Sequence, residues 1–142
     1  MKKNLISFII YIFVLNSNTY SDEIKIEYKI DSQIIANIDI DNEIKYLQSL
    51  NKNLGDLSKK QIKEIALNSV IQEKIKYIEL SKYFDLTLED NELEKIIYQN
   101  LYNNLKLENK NQLDNYFNEY GLNLEDIFFK FKIELLWNKL IY

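Results

Sequence analysis

Between Ser58 and Phe84 the apolar residues fall into two adjacent rows. One holds Ile62, Ala66, Val70, Tyr77 and Phe84, the other Leu67, Ile71, Ile75 and Ile78. A helix with so wide an apolar face must be covered from more than one side, which makes this segment the centre of whatever the chain builds. Ser58-Lys59-Lys60-Gln61 supplies a start signal: a serine with a glutamine three residues on satisfies two orphan backbone donors at once. The long helix is therefore expected from Ser58 to about Phe84, with Asp85-Leu86-Thr87 breaking it.

The flanking segments have their own periods. Ile24 to Ile30 alternates apolar and polar residues, Asp31-Ser32 is a turn, and Gln33 to Ala36 returns, so a short hairpin is expected. A lone ribbon of this size is marginal in water and needs a surface to pack on. From Asn37, read as an N-cap, Ile40, Ile44 and Leu47 recur at helical spacing to about Leu50. Asn51 to Leu57 reads as a loop. A third helix is expected over about Leu88–Leu107, on Leu93, Ile96, Ile97, Leu101 and Leu105. A short fourth runs from Gln112 to Tyr120, stopped by Gly121 at the C′ position. Asn123 caps a last helix from Leu124 to the end, bearing Ile127, Phe128, Phe131, Leu135, Trp137 and Leu140. The expected fold is mainly α: a short N-terminal hairpin followed by about five helices. With 142 residues, 46% of them hydrophobic, one domain with a genuine core is expected rather than a disordered chain.

The N-terminus reads differently. Two lysines precede the uncharged run Leu5–Leu15, and polar residues 16–21 follow, the order of a secretory signal peptide. Eleven helical residues cover about half of a ~30 Å bilayer core, so a cleaved signal is preferred to a membrane anchor or a buried first helix. Cleavage after Ser21, with Thr19 at the −3 position, would leave residues 22–142 as the working domain, outside the cytoplasm.

Missing residue types exclude much chemistry. The chain has no His, Cys, Pro or Arg, and all 18 basic residues are lysine. No imidazole base, thiolate nucleophile or ordinary zinc, haem or iron–sulfur site can be built, and no cofactor is expected. Two glycines, Gly55 and Gly121, are too few for a phosphate-cradling loop. Without residues 1–21 the chain carries 16 lysines against 22 carboxylates, a net charge of −6, unsuited to nucleic acid. Asp39 to Glu43 superficially suggests a calcium loop, but Ile44 and Leu50 stand where an EF-hand needs Gly and Glu. Those carboxylates, and Glu89, Asp90, Glu92 and Glu94, suit helix first turns. Ser58, Ser69 and Ser81 have no base but lysine, so no catalytic constellation emerges.

The residues with functional leverage are aromatic. Tyr98, Tyr102, Tyr116, Phe117 and Tyr120 fall on the third and fourth helices, and Phe128, Phe129 and Trp137 on the last. The adjacent pair Phe128-Phe129, with Phe131, points in several directions, so part of that helix is expected to lack an internal partner. Each ring serves either core packing or contact with an extended peptide, which aromatic surfaces bind with tolerance of sequence.

Three segments carry a resemblance. Gln33 to Ile44, a short strand feeding a helix, resembles the start of the N-terminal domain of the SurA family of periplasmic chaperones for outer-membrane proteins. Leu67–Ile75 through Phe84–Ile96 looks like that family's long helix, break and next helix start. Asn115–Ile127 is similar to its short helix, Gly-Leu turn and final helix. The resemblance spans roughly residues 24–142 and implies a periplasmic, ATP-independent holder of unfolded outer-membrane proteins or aromatic-rich peptides, with self-association possible. Such proteins normally continue into parvulin domains, whereas this sequence ends at Tyr142, so prolyl isomerase activity is not implied. A truncated or degenerate isomerase, or an envelope assembly subunit with a fixed partner, are the alternative readings.

Overall fold

The computed structural model describes residues 23–142; the expected signal segment and its cleavage point lie outside the described residues. The chain is mainly helical, a two-stranded antiparallel hairpin followed by five helices, as its periodicities require. Strands β1 (Ile26–Ile30) and β2 (Gln33–Ala36) pair with Tyr28 opposite Ile35 and Ile30 opposite Gln33. The register shifts between Ile26 and Tyr28. Asp31 makes the turn at φ 50°, a left-handed conformation that a short polar side chain tolerates.

Helix α1 (Asn37–Leu50) follows β2 without a loop. Its N-cap is Ala36 rather than the expected Asn37, and the Asp39 carboxylate accepts the Ala36 N–H at 2.7 Å. Asn37 is free to do something else: its side chain accepts from the Lys25 N–H at 2.8 Å and donates to the Glu23 carbonyl at 3.1 Å. The backbone N–H of Asn37 adds a bond to the Lys25 carbonyl at 2.9 Å. These three bonds tie the lead-in of β1 to the helix start, which is how a ribbon too small to stand alone is held.

After a 3-10 turn (Lys52–Asp56), helix α2 (Lys59–Leu80) begins at the Ser58–Gln61 capping box. It ends four residues before Phe84. The Ser81 hydroxyl donates to the Tyr77 carbonyl at 2.7 Å, competing with the helical pattern, and residues 81–84 close as a turn on Leu80. Helix α3 (Asn91–Leu105) starts three residues later than expected, capped by Asp90, whose carboxylate accepts from the Glu92 and Leu93 N–H groups at 3.0 Å. Helix α4 (Lys110–Glu119) starts two residues earlier than expected, capped by Asn109. Gly121, at φ 68°, ends it with the Leu122 N–H on the Phe117 carbonyl and the Gly121 N–H on that of Asn118, the Schellman pattern. Helix α5 (Leu124–Ile141) follows directly, capped by Asn123.

Helix α2 is the centre, packing on α1, on α5 and on both strands; α3 packs on α4 and α5 instead. Ile62, Ala66 and Val70 of its first row are buried, while Ile75 of the second is 49% exposed. Three apolar clusters result. Ile35 and Ile40 join Ala66 and Val70 under the hairpin. Leu80, Leu86, Ile133 and Leu136 hold the far end of α2 to α5. Ile97, Leu101, Leu113, Phe117, Leu122, Leu124 and Ile127 unite α3, α4 and the first half of α5.

Candidate functional site: an acid-rimmed aromatic groove

The first half of α5 meets α3 and α4 along an open groove made of two hollows, about 450 and 180 Å³. Phe128, Glu89, Glu94 and Glu125 line both, so the hollows lie side by side across a shared wall. The larger is floored by Tyr98, Leu124 and Phe128 and edged by Lys110 and Asp114. The smaller is walled by Leu93, Phe128 and Phe129. Glu125 and Phe128 stand three residues apart on α5, hence on one face, and Glu94 and Tyr98 stand four apart on α3.

The rings are braced from behind. Tyr98 lies 5.6 Å from Phe128, centroid to centroid, and stacks on Tyr102 at 5.9 Å. The Lys110 ammonium sits over the Tyr98 ring, 5.4 Å from its centroid, within cation–π range. Across the helix Phe129 packs on Tyr77 at 6.1 Å. At the rim, Lys132 extends along the apolar surface and donates to the carbonyls of Leu86 and Leu88, both at 2.8 Å. That contact adds to a turn that Asp85 closes locally, its carbonyl accepting the Leu88 N–H at 3.3 Å and its carboxylate the Thr87 N–H at 3.0 Å.

The aromatic residues singled out from the sequence divide accordingly. Tyr98, Phe128 and Phe129 line the groove, half-buried, and Tyr102 supports Tyr98. Phe117 is wholly enclosed in the α3–α4–α5 cluster, leaving no free face for a ligand. Tyr116 is structural: its hydroxyl donates to the Ser49 carbonyl, fastening α4 to α1. Burial first, then Tyr120, pushes that hydroxyl up to about 12, so it stays a donor. Tyr120 packs on Tyr116, and Trp137 packs at the far end of α5 beside Leu80 and Leu136.

A third hollow, about 440 Å³, lies on the flank of α5 that faces α1 and α2. Glu43 is 1% exposed at its floor, and its Oε1 accepts from the Ser69 hydroxyl at 2.6 Å. Lys130 stands 2.8 Å from Glu43 Oε2, off the axis of a directed hydrogen bond, and pairs also with Glu73. Burial pulls the Lys130 ammonium down, but Glu43 and Glu73 outweigh it and hold its pKa above the ordinary lysine value. The same Lys130 lies 5.4 Å from the Tyr46 centroid. Burial, then Glu43, pushes the Tyr46 hydroxyl well up, so it too stays protonated. In the sequence Glu43 stands among charges that suit a helix start, and nothing local marks the trio of Glu43, Glu73 and Lys130, whose members come from three helices.

Among the described residues no cluster of three metal-ligating side chains occurs, and no helix is long and apolar enough to cross a membrane. No protein-family model matches this chain, and neither a curated protein nor a solved structure does.

Proposed function

We propose that this chain is an exported, ATP-independent, chaperone-like domain that holds unfolded polypeptide, in the manner of the N-terminal domain of SurA-like periplasmic proteins. The observation that carries the reading is the groove on α5. Rings held at fixed spacing by Tyr102, Tyr77 and the core give large contact area at little entropic cost, and they stay partly open. An extended segment gains from such faces without a fixed sequence, which suits outer-membrane strands with alternating aromatics. The basic start and Leu5–Leu15 run support delivery to the envelope by a cleaved signal. On this reading the domain performs no chemistry of its own, and clients bind with roughly micromolar affinity because they give up chain entropy.

Phe128→Ser tests it. The variant should lose most suppression of aggregation of several unrelated unfolded outer-membrane proteins, while the folded fraction keeps a cooperative melt. Undiminished suppression by well-folded Phe128→Ser protein would remove the groove from the account. A second reading, an assembly subunit with one fixed partner, draws on the hairpin and its flanks, where Ile26 and Ile34 of the strands, Ile24 before them and Ile38 at the start of α1 lie open, Ile26 at 68% exposure. Capture of a single partner, with no activity towards other unfolded chains, would favour it.

A further inference from the structure

Charge on the groove wall is lopsided. Its two hollows are lined by five carboxylates, Glu89, Asp90, Glu94, Asp114 and Glu125, against two ammonium groups, Lys110 and Lys132, a net of −3. The Lys132 ammonium is already taken up by two backbone carbonyls. Glu89, Glu94, Asp114 and Glu125 make no salt bridge among the described residues. Helix starts at Asn91, Lys110 and Leu124 offset this field by roughly half a positive charge each, which reduces the net negative charge without reversing it. Carboxylates beside apolar rings in a concave wall focus a negative potential where a ligand would enter.

The groove also displays what it can hold. Lys110 belongs to the first turn of α4, where a cation is disfavoured by the helix dipole, yet its ammonium rests over the Tyr98 ring. A second cation meeting the same ring would find Glu94, Asp114 and Glu125 around it. We infer that the groove selects cationic extended segments, those in which a lysine or arginine neighbours an aromatic or large aliphatic residue. The apolar side chain enters the smaller hollow against Leu93, Phe128 and Phe129. The cation enters the larger one over Tyr98, where Lys110 acts as a displaceable resident. This inference rests on the polypeptide-binding reading and names the class of segment that the same groove prefers.

Three acetylated, amidated peptides test it on the purified protein. Each repeats Phe-X-Leu-X, with X as Lys, Gln or Glu, and binding is followed by calorimetry at 0.05 and 0.5 M NaCl. The Lys peptide should bind about tenfold tighter than the Gln peptide at low salt and the Glu peptide weakest, the spread shrinking at high salt as rim charges are screened. Glu94→Gln with Glu125→Gln should bring the three affinities to within about threefold of one another. Lys110→Gln should tighten the Lys peptide about threefold, a gain that no unfolding artefact produces. Circular dichroism melts check that each variant is folded. A Gln peptide that binds as tightly as the Lys peptide overturns the charge preference and leaves the polypeptide-binding reading standing. Failure of all three peptides to bind overturns both.

Discussion

The two flanks of α5 use charge in opposite ways. Phe128 and Lys130 are two residues apart, about 200° around the helix, so they face different neighbours. On the flank towards α1 and α2, Lys130 is enclosed with Glu43 and Glu73, and Ser69 fills the remaining acceptor. On the flank towards α3 and α4, Glu94 and Glu125 stand beside Tyr98 and Phe128 and meet no cation of their own within salt-bridge range among the described residues. One set of charges is spent inside the fold and joins three helices. The other has no cation within salt-bridge range among the described residues. The difference teaches that carboxylate count says little in an acidic chain; what separates structural from available charge is whether the partner is already present.

Breaking the inner set should have the largest effect. Lys130→Met leaves Glu43 and Glu73 facing one another without a cation, and should cost about 3 kcal/mol, lowering the melting midpoint by roughly 10 °C. Removing the partner as well, as Glu43→Leu with Lys130→Met, should restore much of that loss, because no buried carboxylate is then stranded at Glu43. Calorimetric melts of the two variants measure the coupling directly. A double variant no better than the single one would mean that the trio is not the seam described.

Alkali should act on the same seam. The Lys130 pKa is raised in the folded chain, so its contribution to stability is complete below the unfolded lysine value, about 10.4. It is lost as pH rises through the higher folded value. Denaturant midpoints should therefore fall above about pH 10.4, and less steeply in Lys130→Met, where that proton is absent. Equal slopes in the two proteins would contradict the raised value.

The smallest stability effect concerns the hairpin. Asn37→Ala removes two side-chain hydrogen bonds at an exposed site and should cost about 1 kcal/mol globally. Amide exchange at Lys25, whose N–H donates to Asn37, should rise well beyond that of residues in α2. Uniform change across the chain would show that the tether is not local.

What was legible in the sequence was local chemistry. Ser58 with Gln61, Asn123 before Leu124 and Gly121 after Tyr120 each satisfy backbone groups within a few residues, and all three stand where expected. The period-two and period-3.6 runs gave the element order for the same reason. Errors arose where a distant partner decided the outcome. The start of α3 falls after a turn closed by Asp85, which Lys132, 46 residues from Leu86, also reaches. Asn37, an eligible cap by type, was drawn to Lys25 and Glu23 across the hairpin. Lys130 and Glu73 are 57 residues apart, and one lysine among many carries no mark of burial. The groove was half visible: Tyr98, Phe128 and Phe129 were named, but so were Phe117 and Tyr116, because ring identity alone does not tell which face is covered. Glu89, Asp90 and Glu94 of its acidic wall read as helix-start charges, while Asp114 carries no such mark; convergence of three helix starts on one groove is a tertiary fact.

The most direct test of the central claim is amide chemical-shift mapping of the isotope-labelled domain during titration with the Phe-Lys-Leu-Lys peptide. Saturable shifts are expected to concentrate in Asn91–Tyr98, Lys110–Asp114 and Leu124–Phe128, with residues 39–46 and 70–74 unmoved. Shifts centred on Asp39–Tyr46 and Val70–Lys74 would place binding at the Glu43–Lys130 hollow and contradict the division of labour between the two flanks of α5.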